Sequence, residues 1–267
     1  MTMKRLTASL VLLASAQVAS AQQLPDELVR AEVIGGWRTP SGTQMAAVRL
    51  RMADGWKTYW RAPGEAGIPP QFDWSASENV QAVRLHWPVP EVFDLNGLRT
   101  LGYSGELVLP VEITPAAPDA PIVLSGDLDI GVCEEVCVPV SLSVSADLPP
   151  ASAREPRIEA ALTRQPETGD DAGLSLAQCA AEAIRDGLRL TATLMIPNTG
   201  AGEFGVIELA DASVWVSPAS ASRDGGRITL VADLVPAEAK PFALDRSDVR
   251  ITLFGGGRAV DIHGCTG

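Results

Sequence analysis

Residues 122–148 read IVLSGDLDIGVCEEVCVPVSLSVSADL, and this stretch predicts two β-strands on either side of a cysteine pair. The two strand segments, Ile122 to Ile130 and Val138 to Leu148, are rich in Val, Leu and Ile. Similar short runs, cut by proline, glycine, aspartate and asparagine, recur through most of the chain, which holds 24 glycines and 20 prolines. Short aliphatic runs between turn residues are typical of all-β proteins.

Six further segments before residue 150 have the same character. The strands predicted from them are 29–37, 45–52, 55–60, 71–74, 80–87 and 107–113. Seven or more short strands with turn signals favour a β-sandwich. The segment 62–70 (APGEAGIPP) cannot be regular structure throughout, because its prolines lack an N–H donor. We expect it to form a surface loop, and a wall beside the cysteines is its alternative, functional interpretation.

The chain divides into four predicted parts. Residues 1–21 have a basic start, an apolar run and a small-residue cleavage site, which together predict a secretory signal peptide. Residues 22–150 form the first β domain. Residues 151–172 are a linker with a short helix at 154–164, and residues 173–267 form a second, smaller β-rich domain with a glycine turn at 255–257.

Composition excludes several classes of function. The formal net charge is −12, without basic clusters, which argues against nucleic-acid binding. No segment after the signal peptide is apolar and long enough to span a bilayer. The motifs of serine hydrolases, zinc proteases and phosphate-binding loops are absent. We therefore expect no cofactor and no bound metal, and an enzymatic role only in thiol–disulfide interchange.

The four cysteines, Cys133, Cys137, Cys179 and Cys265, predict two disulfides in an exported protein. Of the three possible pairings, only Cys133–Cys137 with Cys179–Cys265 stays within the predicted domains. The second bridge closes a loop of 87 residues and would stabilise the fold by roughly 4–5 kcal/mol, as a structural disulfide. The first closes five residues and would contribute only about 2 kcal/mol. A redox couple or a plain hairpin clip are both compatible with that spacing.

Glu134 and Glu135 lie between the paired cysteines. Nearby carboxylates disfavour a thiolate, so we expect them to raise the cysteine pKa values. This setting favours a disulfide that a partner attacks, or a dithiol that passes electrons on after docking.

Five aromatic residues are concentrated in the first domain and are expected mainly in its core, with a docking role as the alternative: Trp56, Tyr59, Trp60, Trp74 and Trp87.

Several ordered blocks of the first domain resemble the amino-terminal periplasmic domain of the thiol:disulfide interchange protein DsbD. They are GWKTYWRAPGEAGIPPQFDWS, WPVPEVF, LGYSGELVLPVEI and GVCEEVCVP, spread over about residues 28–148. The related membrane reductases linked to copper sensitivity are closer still. The resemblance implies an immunoglobulin-like sandwich in which Cys133 and Cys137 are the redox-active pair of a periplasmic protein.

The resemblance also implies a cap and a set of partners. An aromatic residue on a cap loop shields the cysteines in this family. By order along the chain the cap falls in residues 92–103, with Phe93 and Tyr103 as candidates. The partners implied are thioredoxin-like periplasmic oxidoreductases. DsbD continues into membrane helices and a thioredoxin-like domain, which this sequence lacks, so a separate membrane protein is expected to donate electrons.

Two other functions remain open. Soft thiolates suit Cu(I), so a copper-binding or copper-tolerance protein is one alternative. A non-catalytic interaction module held by two plain disulfides is the other.

Overall fold

The computed structural model of the chain describes residues 27–95, 97–150 and 153–267. The predicted signal peptide lies outside the described residues. The first group of strands is β1 (Val29–Arg38), β2 (Gln44–Met52), β3 (Lys57–Gly64), β4 (Gln71–Asp73), β5 (Val80–Leu85), β6 (Glu91–Leu95), β7 (Leu98–Ser104), β8 (Glu106–Pro115), β9 (Ile122–Cys133) and β10 (Cys137–Leu148).

These strands form the first sandwich. One sheet has the order β1-β2-β8-β5, and the other has the order β10-β9-β3-β7-β6 with β4 paired to β9. Successive side chains of a strand point to opposite faces, so alternate residues of both sheets meet between them. The core contains, among others, Val48, Trp60, Leu109, Leu128 and Val132, all fully buried. The all-β, immunoglobulin-like prediction is confirmed.

Helix α1 (Pro156–Leu162) follows the first sandwich and lies within the segment predicted to be helical. The Glu155 carboxylate accepts a hydrogen bond from the Arg157 backbone N–H, and proline occupies the first turn, where no donor is needed. Two of the helix residues, Ile158 and Ala161, are fully buried in an apolar cluster with Ile34, Trp37, Met45, Ala47 and Val108 of the first sandwich.

The second sandwich is built from β11 (Glu167–Thr168), β12 (Leu176–Ile184), β13 (Gly187–Met195), β14 (Phe204–Leu209), β15 (Trp215–Val216), β16 (Ser220–Asp224), β17 (Arg227–Val235), β18 (Val249–Gly255) and β19 (Arg258–His263), with a 3₁₀ helix at Arg246–Asp248. One sheet has the order β11-β19-β18-β14. The other has the order β12-β13-β17-β15, with β16 also paired to β17. Gly256 and Gly257 turn the chain between β18 and β19 with positive φ, as the glycine triplet predicts.

Several elements differ from the sequence-based prediction, among them the short strands β11 and β16, which lie outside the predicted strands. Residues 92–103 are not a loop, because most of them pair as the hairpin β6–β7 at the edge of the second sheet of the first sandwich. Strand β12 (LAQCAAEAI) has an alanine-rich sequence without strand character and was not predicted. It is held in the sheet by continuous pairing with β13 from Leu176 to Ile184. Within the described ranges, no helix has the length and apolar character to cross a bilayer.

Candidate functional site

Cys133 and Cys137 close the end of the β9–β10 hairpin. Cys133 is the last residue of β9 and Cys137 is the first of β10, and the two are directly opposite in the antiparallel register. They form a disulfide with a Cα–Cα distance of 4.1 Å. The pairing of twelve residues on each strand behind the bridge fixes the hairpin end that carries it.

The two sulfur-bearing residues differ in exposure. Cys133 is 1% exposed, whereas Cys137 belongs to the exposed turn that also contains Val136, which is 51% exposed. A thiolate approaching from solvent therefore meets Cys137 first, and Cys133 is the sulfur on the protein side of the bond. Attack at Cys137 makes Cys133 the leaving group.

Tyr59 of β3 supplies the hydrogen-bond donor of the site. Its hydroxyl donates to Cys133 Sγ at 3.0 Å and lies 3.3 Å from Cys137 Sγ. Burial raises the pKa of Tyr59, so the phenol remains a donor at neutral pH. A sequence separation of 74 residues between Tyr59 and Cys133 hides this contact from any local motif.

The register explains why Tyr59 reaches the sulfurs. Lys57 pairs with Cys133 across β3 and β9, so both side chains project from the same face of the sheet. Tyr59 is two residues further along β3 and therefore projects from that face as well. We call it the outer face, because Thr58 and Val132, which pair with each other, are buried in the core on the opposite side.

The loop of residues 63–70, here called the wall loop, folds back over the outer face. A Cβ built on Gly131 would lie 2.7 Å from Ile68 Cβ, so the Ile68 side chain rests directly on the Gly131 backbone. A Cβ on Gly67 would lie 2.9 Å from the Tyr59 ring. Gly131 precedes Cys133 by two residues on the same face. The wall interpretation of this loop therefore agrees with where the loop lies.

The structure places the two candidate cap residues differently. Tyr103 pairs with Thr58 and projects into the core, where its hydroxyl donates to the Pro88 carbonyl at 2.7 Å. Its assignment as a shield is wrong, since it lies on the opposite face of the sheet from Cys133. Phe93 is half-buried and contacts Lys57, whose Nζ is 4.6 Å from the ring centroid. In the order β9-β3-β7-β6 it lies three strands from Cys133, and its role as a shield stays a prediction.

The carboxylates of the turn lie at the solvent side of the site. Glu134 and Glu135 are both exposed, and the Glu134 backbone N–H donates to the Val136 carbonyl at 3.2 Å. A Cβ on Gly55 would meet Glu134 Oε1 at 2.8 Å, so the Glu134 side chain lies against the turn before β3. Their effect on the cysteine pKa values stays a prediction.

The second disulfide lies in the other sandwich. Cys179 of β12 is buried and bonds to Cys265, which follows the last strand. The bridge lies beside backbone pairing between the same segments, in which Cys179 N–H donates to the Thr266 carbonyl at 2.7 Å. Among the described residues, no group of three or more His, Cys, Asp or Glu side chains is arranged to hold a metal ion.

Comparison with known proteins agrees with this architecture. Residues 25–149 match the family described as the amino-terminal part of the thiol:disulfide interchange protein DsbD. No curated protein matches the chain. Among solved structures, the N-terminal periplasmic domain of ScsB from Proteus mirabilis is similar, with 24% sequence identity and a TM-score of 0.62. The match covers 92% of this chain and 96% of that one, so the fold of both sandwiches is shared. The first sandwich of this chain therefore matches the family of DsbD amino-terminal domains.

Proposed function

We propose that this chain is a periplasmic thiol–disulfide exchange protein that passes reducing equivalents through Cys133 and Cys137. One observation carries the proposal. The disulfide joins an exposed cysteine to a buried one, and the buried sulfur accepts a hydrogen bond from Tyr59. A plain clip needs neither the difference in exposure nor a donor aimed at a sulfur.

The exchange proceeds in two balanced steps. A partner thiolate attacks Cys137 Sγ, the bond to Cys133 breaks, and a mixed disulfide forms while Cys133 leaves as a thiolate. The Tyr59 hydroxyl stabilises that thiolate, because a hydrogen bond to a charged acceptor is stronger than one to a neutral acceptor. In the second step, the second thiolate of the partner attacks the partner sulfur that is bonded to Cys137. This releases Cys137 as a thiolate and leaves the partner oxidised. Reversal of both steps passes electrons from the dithiol form to an oxidised partner.

The partners we propose are dithiol proteins of the thioredoxin-like class, with a separate membrane protein as the electron donor. The match to the DsbD amino-terminal family supports the first part, because the resemblance implies disulfide exchange with such oxidoreductases. The periplasmic location is supported by the ScsB domain of the same fold. Glu134 and Glu135 would slow spontaneous ionisation of the reduced pair and limit its reaction with stray oxidants.

Two matched variants test the assignment of roles. Cys133→Ser leaves the exposed Cys137, and Cys137→Ser leaves the buried Cys133. Each is mixed with an oxidised thioredoxin-like protein that lacks its resolving cysteine and is activated as a mixed disulfide with a small aromatic thiol. We expect Cys133→Ser to form a covalent complex, seen on a non-reducing gel, and Cys137→Ser to form much less. Equal trapping by both variants, or by neither, would refute the proposal.

Graded reduction of the wild-type protein gives an independent test. We expect a dithiol to open Cys133–Cys137 while Cys179–Cys265 stays closed, because Cys137 is exposed, whereas Cys179 is buried and Cys265 is half-buried. Alkylation and mass spectrometry after each step measure the two bridges separately. Simultaneous opening would show that the first bridge is a structural disulfide like the second.

A further inference from the structure

The second sandwich contacts the strand that carries Tyr59. Trp60 is the next residue of β3, and its ring packs edge-on against Phe254 of β18 with 5.5 Å between the centroids. Arg61 follows, and its Nε donates to Glu208 Oε1 of β14 at 3.0 Å. The same sheet of the second sandwich therefore holds two consecutive residues of β3.

The side-chain hydrogen bonds of Arg61 go to residues of the second sandwich. Its Nη2 donates to Thr252 Oγ1 at 3.0 Å and lies 3.6 Å from Asp261 Oδ1. The side chain is only 11% exposed, and its guanidinium stacks 3.9 Å from the Trp60 ring. A buried charge is tolerated only where opposite charges and hydrogen bonds surround it, so this pocket allows Arg61 little freedom of position.

Arg61 lies at the point where β3 stops pairing regularly with its neighbouring strands in the first sandwich. Pairing of β3 with β9 covers only Lys57 and Thr58. Pairing with β7 is regular through Tyr59 and is then interrupted until Gly64. The backbone from residue 60 to residue 63 is thus fixed less by strand pairing than by contacts with the second sandwich.

The neighbouring strand is held from the same side. The Arg99 guanidinium of β7 lies over the Phe204 ring of β14 at 4.1 Å, and Phe204 stacks on Phe254 with 4.9 Å between the centroids. Arg99 also donates its backbone N–H to Glu65 of the wall loop at 3.0 Å. Contacts from one sheet thus reach both β3 and the elements that flank Tyr59.

We propose that Arg61 is a positioning residue for thiol–disulfide exchange: its anchor in the second sandwich fixes β3 so that the Tyr59 hydroxyl stays on the sulfurs of Cys133 and Cys137. This inference rests on the proposed function above. It gives the second sandwich a role in the chemistry of the first. The reduction rate of the bridge then depends on a contact between the two sandwiches.

A double-mutant cycle tests this role. Arg61→Met keeps the length of the side chain and removes the charge, and Arg61→Lys restores the charge. Each is made in the wild-type and the Tyr59→Phe background, with Arg189→Met as the matched control, because Arg189 pairs with Asp233 in the second sandwich. The readouts are the rate at which dithiothreitol reduces Cys133–Cys137, its pH profile, and the melting temperature.

We expect Arg61→Met to slow reduction about fivefold, the change that corresponds to losing one hydrogen bond of average strength. Arg61→Lys should recover part of that rate. In the Tyr59→Phe background, Arg61→Met should not slow reduction further. Arg189→Met should leave the reduction rate unchanged in both the wild-type and the Tyr59→Phe background. If Arg61→Met does not fold, Glu208→Gln takes its place in the same cycle.

Three results would overturn the inference while leaving the proposed function intact. The first is an Arg61→Met variant with a lowered melting temperature but a wild-type reduction rate. The second is equal slowing by Arg61→Met in the presence and in the absence of the Tyr59 hydroxyl. The third is an Arg189→Met variant that slows reduction as much as Arg61→Met does. A wild-type protein whose bridge does not exchange with dithiols at all would instead refute the proposed function itself.

Discussion

Two tyrosines of neighbouring strands show how alternation assigns function at the scale of single residues. Tyr59 and Tyr103 lie on β3 and β7, which pair with each other, yet they project from opposite faces of the sheet. The hydroxyl of Tyr59 meets the sulfurs, whereas that of Tyr103 meets the Pro88 carbonyl inside the core. The two side chains therefore have the same chemistry but lie on opposite faces of the sheet.

This pair provides a matched test of the donor. Tyr59→Phe should slow reduction of Cys133–Cys137 by at least about tenfold, because a hydrogen bond to a charged group contributes about 1.5–3 kcal/mol. It should also raise the pKa of the Cys133 thiol in the reduced protein. Stopped-flow fluorescence against pH measures both effects. Tyr103→Phe should lower stability and leave the exchange rate unchanged. Similar rates for the two variants would show that the Tyr59 hydroxyl has no part in exchange.

The sequence predicted the cysteines of the site but not their donor. Cys133 and Cys137 are close in sequence, and their pairing is the one that keeps both disulfides within the predicted domains. Tyr59 was expected mainly in the core, and its contact with the sulfurs depends on the register of β3 against β9. Tyr103 was misassigned for the same reason, since one position of register decides which face a side chain occupies.

At the scale of elements, the wall loop and β9 meet through glycine. Ile68 can lie on the strand only because Gly131 has no side chain. The prolines of the loop predicted its irregular course from the sequence. The strand pairing that brings it back over β9, through β4, could not be predicted, because it depends on contacts between distant segments.

Gly131→Ala should lift the wall loop from the sheet. The new Cβ would lie 2.7 Å from Ile68 Cβ, and such crowding typically costs about 1–3 kcal/mol. We expect a lower melting temperature and faster alkylation of Cys133 in the reduced protein, followed by site-resolved mass spectrometry. Ile68→Gly in the same chain should restore stability by removing the clash.

Gly35→Ala in β1 is the control, because a Cβ there would make an ordinary contact of 3.6 Å with Leu148. It should change neither stability nor alkylation. An alkylation rate of Cys133 that stays at the wild-type value in Gly131→Ala would mean that the wall loop does not shield the site.

At the scale of the whole molecule, charged side chains join the two sandwiches. Asp261 of β19 receives hydrogen bonds from Arg250 and lies near Arg61. Burial opposes its ionisation, but the hydrogen bond and charge of Arg250 and the charge of Arg61 outweigh burial and hold the pKa of Asp261 below its usual value. The folded protein thus stabilises the ionised form of Asp261.

A carboxyl group with a lowered folded-state pKa stabilises the protein above its unfolded pKa and loses that contribution as the pH falls through the folded value. Asp261→Asn should therefore destabilise the protein at pH 7, by about 2 kcal/mol as for other buried charged hydrogen bonds. The difference from wild type should shrink below about pH 4. Urea denaturation at several pH values measures it. Asp233→Asn, at the exposed pair with Arg189, should have little effect, and a pH-independent loss in Asp261→Asn would contradict this account.

The contrast between a sealed Cys133 and an open Cys137 has a consequence for which reductants the protein can use. After the first attack, the displaced Cys133 sulfur stays held beside the new mixed disulfide, at an effective concentration far above that of any thiol in solution. It therefore expels the attacker by returning to Cys137 unless the attacker brings a second thiol of its own. A monothiol such as glutathione should therefore be released before the bridge is reduced, whereas a dithiol at the same thiolate concentration should reduce the bridge completely. The hairpin end thus selects reductants by the number of thiols they carry.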